Sequence, residues 1–71
     1  MNLMETNIKE EYIVKEVLTN DEELKSFLFS LGCYSGEPIT VISRRRAGCV
    51  VSIKEGRYSI DRQLAQAIVV A

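Results

Sequence analysis

The sequence predicts a mainly β fold with short helices, in which five strands form a small barrel and one amphipathic helix is inserted after the first strand. Short runs rich in β-branched and aromatic residues recur between turn residues. One segment alone has apolar residues at clear helical spacing. The chain has only 71 residues, so five strands fit only if they wrap onto themselves, which also removes most exposed strand edges.

The first strand is predicted at residues 11–18, EYIVKEVL, which is rich in β-branched and aromatic residues. Ile13 and Val17 also have helical spacing, so a helix is the alternative here.

The helix is predicted at residues 21–31. Asn20 can act as its N-cap, and three acidic residues follow at the helix end that favours negative charge. The residues predicted to form the apolar face are Leu24, Phe27, Leu28 and Leu31. Gly32 then ends the helix, because glycine readily adopts the left-handed conformation of a C-terminal cap.

The second half of the chain contains the other four strands. Glu55 and Gly56 are predicted as the two-residue connection of a tight hairpin. Asp61 is predicted to cap a short helical turn at residues 62–67. The four strands are expected at residues 39–44, 49–54, 57–60 and 68–70.

The chain is predicted to form one domain at residues 9–71, preceded by a flexible N-terminal segment at residues 1–8. A hydrophobic content of 46% with 27% charged residues is typical of a globular protein. The longest apolar run, residues 67–71, is far shorter than the about 20 residues that cross a bilayer. The acidic N-terminus does not have the pattern of a signal peptide. We therefore expect a cytoplasmic protein.

Charge is divided unevenly between the two halves of the sequence. Residues 1–37 contain three lysines against eight acidic residues, a net charge of −5. Residues 38–71 contain six basic residues against two acidic ones, a net charge of +4. This polarity can orient the domain on a charged partner, although it can also reflect only solvated faces.

The sequence offers no catalytic or metal-binding constellation. It has no histidine and two distant cysteines, Cys33 and Cys49, which we expect to be free thiols in a reducing compartment. Acid–base and nucleophilic catalysis need a base beside the nucleophile, and zinc needs four ligands at local spacing. We therefore expect no catalytic residue, no metal site and no cofactor.

Three consecutive arginines, Arg44, Arg45 and Arg46, are the strongest candidate for a binding site. They could contact a protein partner, solvate a hairpin tip or bind nucleic acid. A pI near 5.3 and an aromatic content of 7% are unfavourable for nucleic-acid binding. A nucleic-acid-binding module using this hairpin is therefore the alternative function, and no nucleic acid is expected as the partner.

The order of residues resembles that of the FeoA family, the small accessory proteins of bacterial ferrous iron uptake. The segment LFSLGCYSGEPITVI is similar to the family's leucine-rich helix end, glycine turn and following strand. The segment AGCVVSIKEGRYSIDRQLAQAIVV is similar to its closing hairpin, helical turn and last strand. The resemblance spans residues 12–70 and implies an SH3-like barrel.

The resemblance also implies a function and a partner. A FeoA protein would assist or regulate ferrous iron transport by binding the cytosolic part of the membrane transporter FeoB, and would contact the membrane only through that partner. The resemblance also brings the general term transition metal ion binding, which describes the family and assigns no metal ligand in this chain. We place the partner-binding surface at the helix end and the arginine hairpin, that is at Leu31, Gly32, Cys33, Tyr34, Arg44, Arg45 and Arg46.

Overall fold

Five strands and two helices make up the computed structural model, which describes residues 1–71. In chain order they are β1 (Glu11–Val17), α1 (Glu22–Ser30), β2 (Pro38–Arg45), β3 (Gly48–Ile53), β4 (Gly56–Asp61), α2 (Arg62–Ala67) and β5 (Ile68–Val70). The strands form one antiparallel sheet in the order β4-β3-β2-β1-β5. The predicted mainly β fold, with a helix inserted after the first strand, is confirmed. Neither helix is long and apolar enough to cross a bilayer.

The core contains 13 buried apolar residues, and every strand and both helices contribute to it. In β3 the buried residues alternate with half-buried ones, as expected for a strand with one face on the core. The buried residues of this strand are Cys49, Val51 and Ile53. Alternation in the sequence therefore predicts the inward face of β3 correctly.

Helix α1 begins one residue later than the predicted cap implies. Asp21, and not Asn20, is the N-cap: its Oδ1 accepts hydrogen bonds from the N–H groups of Glu23 and Leu24 at 2.9 and 3.3 Å. Leu28 is the only buried residue of the helix, and Phe27 is 48% exposed. The predicted apolar face is thus too wide, because the short helix lies at the edge of the core and only its centre reaches inward.

The β3–β4 hairpin turns one residue earlier than predicted. Ile53 pairs with Gly56, so the two residues of the turn are Lys54 and Glu55. Lys54 adopts a positive φ of 54°. Gly56 belongs to β4 instead, and a Cβ atom at this position would collide with the ring of Tyr58. The glycine thus leaves room for the observed position of the Tyr58 ring and is not part of the turn itself.

The N-terminal segment packs against the domain. Leu3 and Thr6 are fully buried, and Leu3 belongs to the core cluster. Asn2 forms an isolated β-bridge with Val69 of β5. The predicted domain boundary at residue 9 therefore does not coincide with the edge of the core, which begins within residues 1–8.

Candidate partner-binding surface

The C-terminal end of α1 turns the chain back onto the sheet. The N–H of Gly32 donates to the carbonyl of Phe29 at 3.0 Å, and the N–H of Cys33 donates to the carbonyl of Leu28 at 2.9 Å. Gly32 has a φ of 93°, as the predicted glycine stop requires. This turn buries Cys33 and leaves Tyr34 half-buried at the surface.

The helix end lies against the turn between β3 and β4. A Cβ atom on Gly32 would lie 3.0 Å from Cε of Lys54 and 3.3 Å from Cγ2 of Ile53. Glycine is needed here for its conformation, and a Cβ atom would also require the flexible end of the Lys54 side chain to move slightly. The contact places the end of α1 and the β3–β4 turn on one surface.

Tyr34 is the centre of a small aromatic and charged cluster. Its ring centroid lies 4.8 Å from that of Phe29. Nζ of Lys54 lies 5.6 Å from the Tyr34 centroid and 3.3 Å from a carboxylate oxygen of Glu37. The ion pair with Glu37, followed by the nearby Tyr34 side chain, raises the pKa of Lys54. The Lys54 amine therefore carries its positive charge beside the aromatic rings.

An open groove runs past this cluster. Its lining includes Phe29, Leu31, Tyr34, Lys54 and Tyr58, and we call these residues the helix-end groove. Phe29 is 65% exposed, the largest exposed fraction among the large apolar side chains of this chain. The groove thus presents aromatic surface, which is enriched at protein interfaces, beside one lysine.

The arginine hairpin lies at the other end of β3. Arg45 and Arg46 are exposed at the β2–β3 turn. Since β3 separates this turn from Lys54, the two sites are roughly 17 Å apart at about 3.3 Å per residue. The structure therefore divides the predicted binding residues into two patches.

Arg44 does not belong to the exposed part of the hairpin. Its Nη1 donates hydrogen bonds to the backbone carbonyl of Thr6 and, at 3.4 Å, to that of Leu3. The guanidinium thus holds the N-terminal segment in place. Its role in this structure is internal, whereas the sequence grouped it with Arg45 and Arg46 as a contact residue.

The seven predicted binding residues differ in accessibility: two are buried, three are half-buried and two are exposed. They are, in that order, Gly32 and Cys33; Leu31, Tyr34 and Arg44; Arg45 and Arg46. Because Gly32 and Cys33 are buried, they cannot contact a partner directly and can only position the residues around them.

Sequence reasoning missed three residues of the helix-end groove: Phe29, Lys54 and Tyr58. A signal existed for Phe29, which is an aromatic residue outside the i, i+3, i+4, i+7 pattern of α1 and so is expected to face solvent. No local signal places the turn residue Lys54 beside Tyr34, since that contact depends on how the helix packs.

The two cysteines, predicted to be free thiols, are free in the structure, and both are buried. Burial raises the pKa of the Cys33 thiol to about 11. Burial also raises the pKa of Cys49, and the positive charge of Arg44 opposes this effect in part. No three Cys, Asp or Glu side chains lie together in an arrangement that could hold a metal ion.

The buried thiol of Cys33 should make the free energy of unfolding decrease at alkaline pH. Its pKa is raised from an ordinary value of 9.0 to about 11 on folding, so the folded state holds the proton that the unfolded state loses. The stabilisation is complete below pH 9 and is lost as pH rises through 11. We expect the free energy of unfolding, measured by chemical denaturation, to fall across this range. The decline should be smaller in Cys33→Ala, and an equal decline in both proteins would contradict this assignment.

Comparison with known proteins identifies the family. The sequence profile of the FeoA domain matches residues 1–71. The chain belongs to the FeoA family. No curated protein matches the sequence. The resemblance noted in residues 12–70 is therefore confirmed, and the FeoA domain also includes the N-terminal segment.

Solved structures confirm the fold expected of a FeoA protein. The chain is similar to an iron uptake regulatory protein, FeoA, with a TM-score of 0.88 and 25% identity over 99% of this chain and 93% of that chain. It is similar to zinc-complexed FeoA of Stenotrophomonas maltophilia, described as an SH3 domain protein and a candidate activating factor of ferrous iron transport, with a TM-score of 0.86 and 21% identity over 100% and 89% of the chains. A manganese-dependent transcriptional repressor matches with a TM-score of 0.88 and 21% identity over 99% of this chain and 40% of its own.

Proposed function

We propose that this FeoA family member is a cytoplasmic accessory protein of ferrous iron uptake that binds the cytosolic part of a FeoB-type transporter. The observation that carries the proposal is the FeoA domain match over residues 1–71. The likeness to an iron uptake regulatory protein along nearly the whole chain supports it.

The chemistry of the side chains favours binding over catalysis. The chain has no histidine, and both thiols are buried with raised pKa values. A buried thiol in its neutral form is a poor nucleophile. The proposed activity is therefore protein–protein recognition, with no bond made or broken by this domain.

The helix-end groove is the proposed apolar contact. Phe29 is exposed, and Tyr34 and Tyr58 are half-buried, so their rings can become buried against a partner without unfolding the domain. Aromatic residues often dominate binding energy at the centre of an interface. In this proposal Gly32 and Cys33 set the path of the chain that presents Tyr34.

Arg45 and Arg46 are proposed as a separate electrostatic contact. Both are exposed, and the second half of the sequence to which they belong carries a net charge of +4. Exposed charges at the rim of an interface mainly increase the rate of encounter and select the orientation. Their proposed contacts are acidic side chains of the partner.

Changing Arg45 and Arg46 together to Glu should weaken capture of the purified cytosolic region of the transporter about tenfold at low salt. The difference should shrink at high salt, because exposed charges are screened. Binding of the folded proteins is measured by calorimetry or by surface capture at several salt concentrations. Arg44 is left unchanged, since it bonds to the carbonyls of the N-terminal segment.

The matched control is Lys15→Glu with Lys25→Glu, which changes net charge by the same amount at exposed positions of β1 and α1. We expect this control variant to bind the transporter only slightly less tightly than the parent does. Equal weakening in both double variants would assign the effect to net charge and remove the hairpin from the interface. If the parent binds no transporter but shifts RNA in a gel, the nucleic-acid alternative replaces this proposal.

A further inference from the structure

The two edges of the sheet differ in how they are protected. At one edge, Asn2 forms a bridge with Val69 and so covers β5. At the other edge, β4 pairs only with β3. An open edge of this kind exposes backbone donors and acceptors that can pair with another strand.

The register identifies which backbone groups of β4 face outward. Ile53 and Gly56 flank the two-residue turn and form a hydrogen-bonded pair. Since such pairs alternate in an antiparallel ladder, Tyr58 and Ile60 also bond to β3. The N–H groups of Arg57 and Ser59 therefore point away from the sheet, and neither donates a hydrogen bond to any turn, loop or side-chain acceptor.

This edge is also regular in its pairing with β3. The β3–β4 ladder runs from Gly48–Asp61 to Ile53–Gly56 without a register shift, whereas the ladders of β2–β3 and β1–β5 each contain one. Natural sheets often protect an edge with a bulge or a proline, and β4 has neither. Its backbone is therefore in a suitable form to accept another strand.

The side chains along the edge are complementary to their own copy. Arg57, Ser59 and Asp61 are exposed and lie on one face of β4, with the basic and acidic residues two positions either side of the serine. In an antiparallel pair of β4 strands centred on Ser59, Arg57 of each copy faces Asp61 of the other. Centring the pair on Arg57 or on Asp61 would instead place like charges opposite each other, which is destabilising.

We propose that two copies of this chain associate by antiparallel pairing of their β4 strands about Ser59. The two sheets then join into one continuous sheet, and two Arg57–Asp61 pairs fix the register. The proposal does not depend on the transporter partner, because the register is fixed by Arg57, Ser59 and Asp61, none of which is a proposed transporter contact. Tyr58 belongs both to β4 and to the helix-end groove, but its side chain alternates with these three and lies on the other face of the strand.

Charge exchange tests the register. Arg57→Glu places two carboxylates opposite each other at both ends of the strand pair, and Asp61→Arg places two guanidinium groups there. Each single variant should dimerise about tenfold more weakly than the parent, as judged by analytical ultracentrifugation over a range of concentrations.

An equimolar mixture of the two charge variants should recover association as a heterodimer. In that heterodimer the introduced glutamate faces the introduced arginine, and the unchanged Asp61 of one copy faces the unchanged Arg57 of the other. This recovery also controls for loss of the α2 cap that Asp61 provides.

Backbone pairing is tested separately at Ser59. Ser59→Pro removes an outward N–H that the monomer does not use, so the fold should persist, as followed by circular dichroism, while association is lost. Ser59→Ala removes the same hydroxyl but keeps the N–H, so it should dimerise like the parent. The β4 amide signals of the parent should shift with concentration in NMR spectra.

Three results would overturn the proposal. The parent could remain a monomer at the highest concentration reached, the charge variants could associate as the parent does, or the mixture could fail to recover association while both variants are folded. If the β4 amides shift only when the transporter's cytosolic region is added, the edge is a site for that partner and the pairing of two copies is wrong.

Discussion

Replacing Leu28 with Ala is expected to lower the free energy of unfolding by about 2–5 kcal/mol. Leu28 is 1% exposed and is the only residue of α1 that is buried in the core. The truncation removes apolar contacts and leaves a cavity that the surrounding side chains fill only in part. The loss is measured by chemical denaturation, from the shift in the unfolding midpoint, provided that the slope of the free energy against denaturant concentration is the same in both proteins. Leu28 is therefore the one side chain of α1 that belongs to the core cluster.

Phe29→Ala is the matched control within the same helix. Phe29 is the larger residue but is 65% exposed, so its truncation should change the free energy of unfolding by about 0.5 kcal/mol or less. If both variants lose similar stability, α1 packs differently from this structure. A change below about 0.5 kcal/mol for Leu28→Ala would place that side chain outside the core.

Leu3→Ala is expected to have an effect of the same size, about 2–5 kcal/mol, although it lies close to the start of the sequence. The Leu3 side chain is fully buried in the core cluster. Its N–H donates to the carbonyl of Ala65 at 3.2 Å, which ties the segment to α2. Chemical denaturation measures the loss, and hydrogen exchange at Ala65 and its neighbours should become faster.

Met1→Ala is the corresponding control in the N-terminal segment. Met1 is 59% exposed, and its contact with Val70 uses its backbone carbonyl, which the substitution keeps. The free energy of unfolding of Met1→Ala should therefore match that of the parent. A free energy unchanged by Leu3→Ala would support the segment as flexible and separable from the domain, as the sequence alone predicts.

The fold was predictable from the sequence because its elements are local. Alternation assigns Cys49, Val51 and Ile53 to the core side of β3, and the cap at Asp61 starts α2 where it is observed. These signals concern neighbouring residues and need no knowledge of tertiary packing. The N-terminal segment has neither strand nor helix periodicity, so the burial of Leu3, which depends on distant contacts, was not predictable in this way.

The candidate site was predictable only in part, and the reason is visible in β2. Its register against β3 shifts between Val41 and Ser43. The shift places Arg44 opposite the buried Cys49, on the inward side of the sheet, whereas uninterrupted alternation would place it on the opposite side. Of the three consecutive arginines, Arg44 therefore bonds to backbone carbonyls of the same chain, whereas Arg45 and Arg46 are exposed to solvent. The amino-acid composition does not reveal this difference.

The burial of the two thiols has a kinetic consequence. A thiol-specific alkylating reagent has little access to Cys33 or Cys49 in the closed structure, where the two residues are 2% and 5% exposed. Modification must therefore wait for transient opening of the surrounding chain. Cys33 follows the end of α1 and Cys49 lies within β3. The alkylation rate of Cys33 would therefore report how often the end of α1 opens, and that of Cys49 how often β3 opens. Both rates can be measured in the natural sequence, without an added probe.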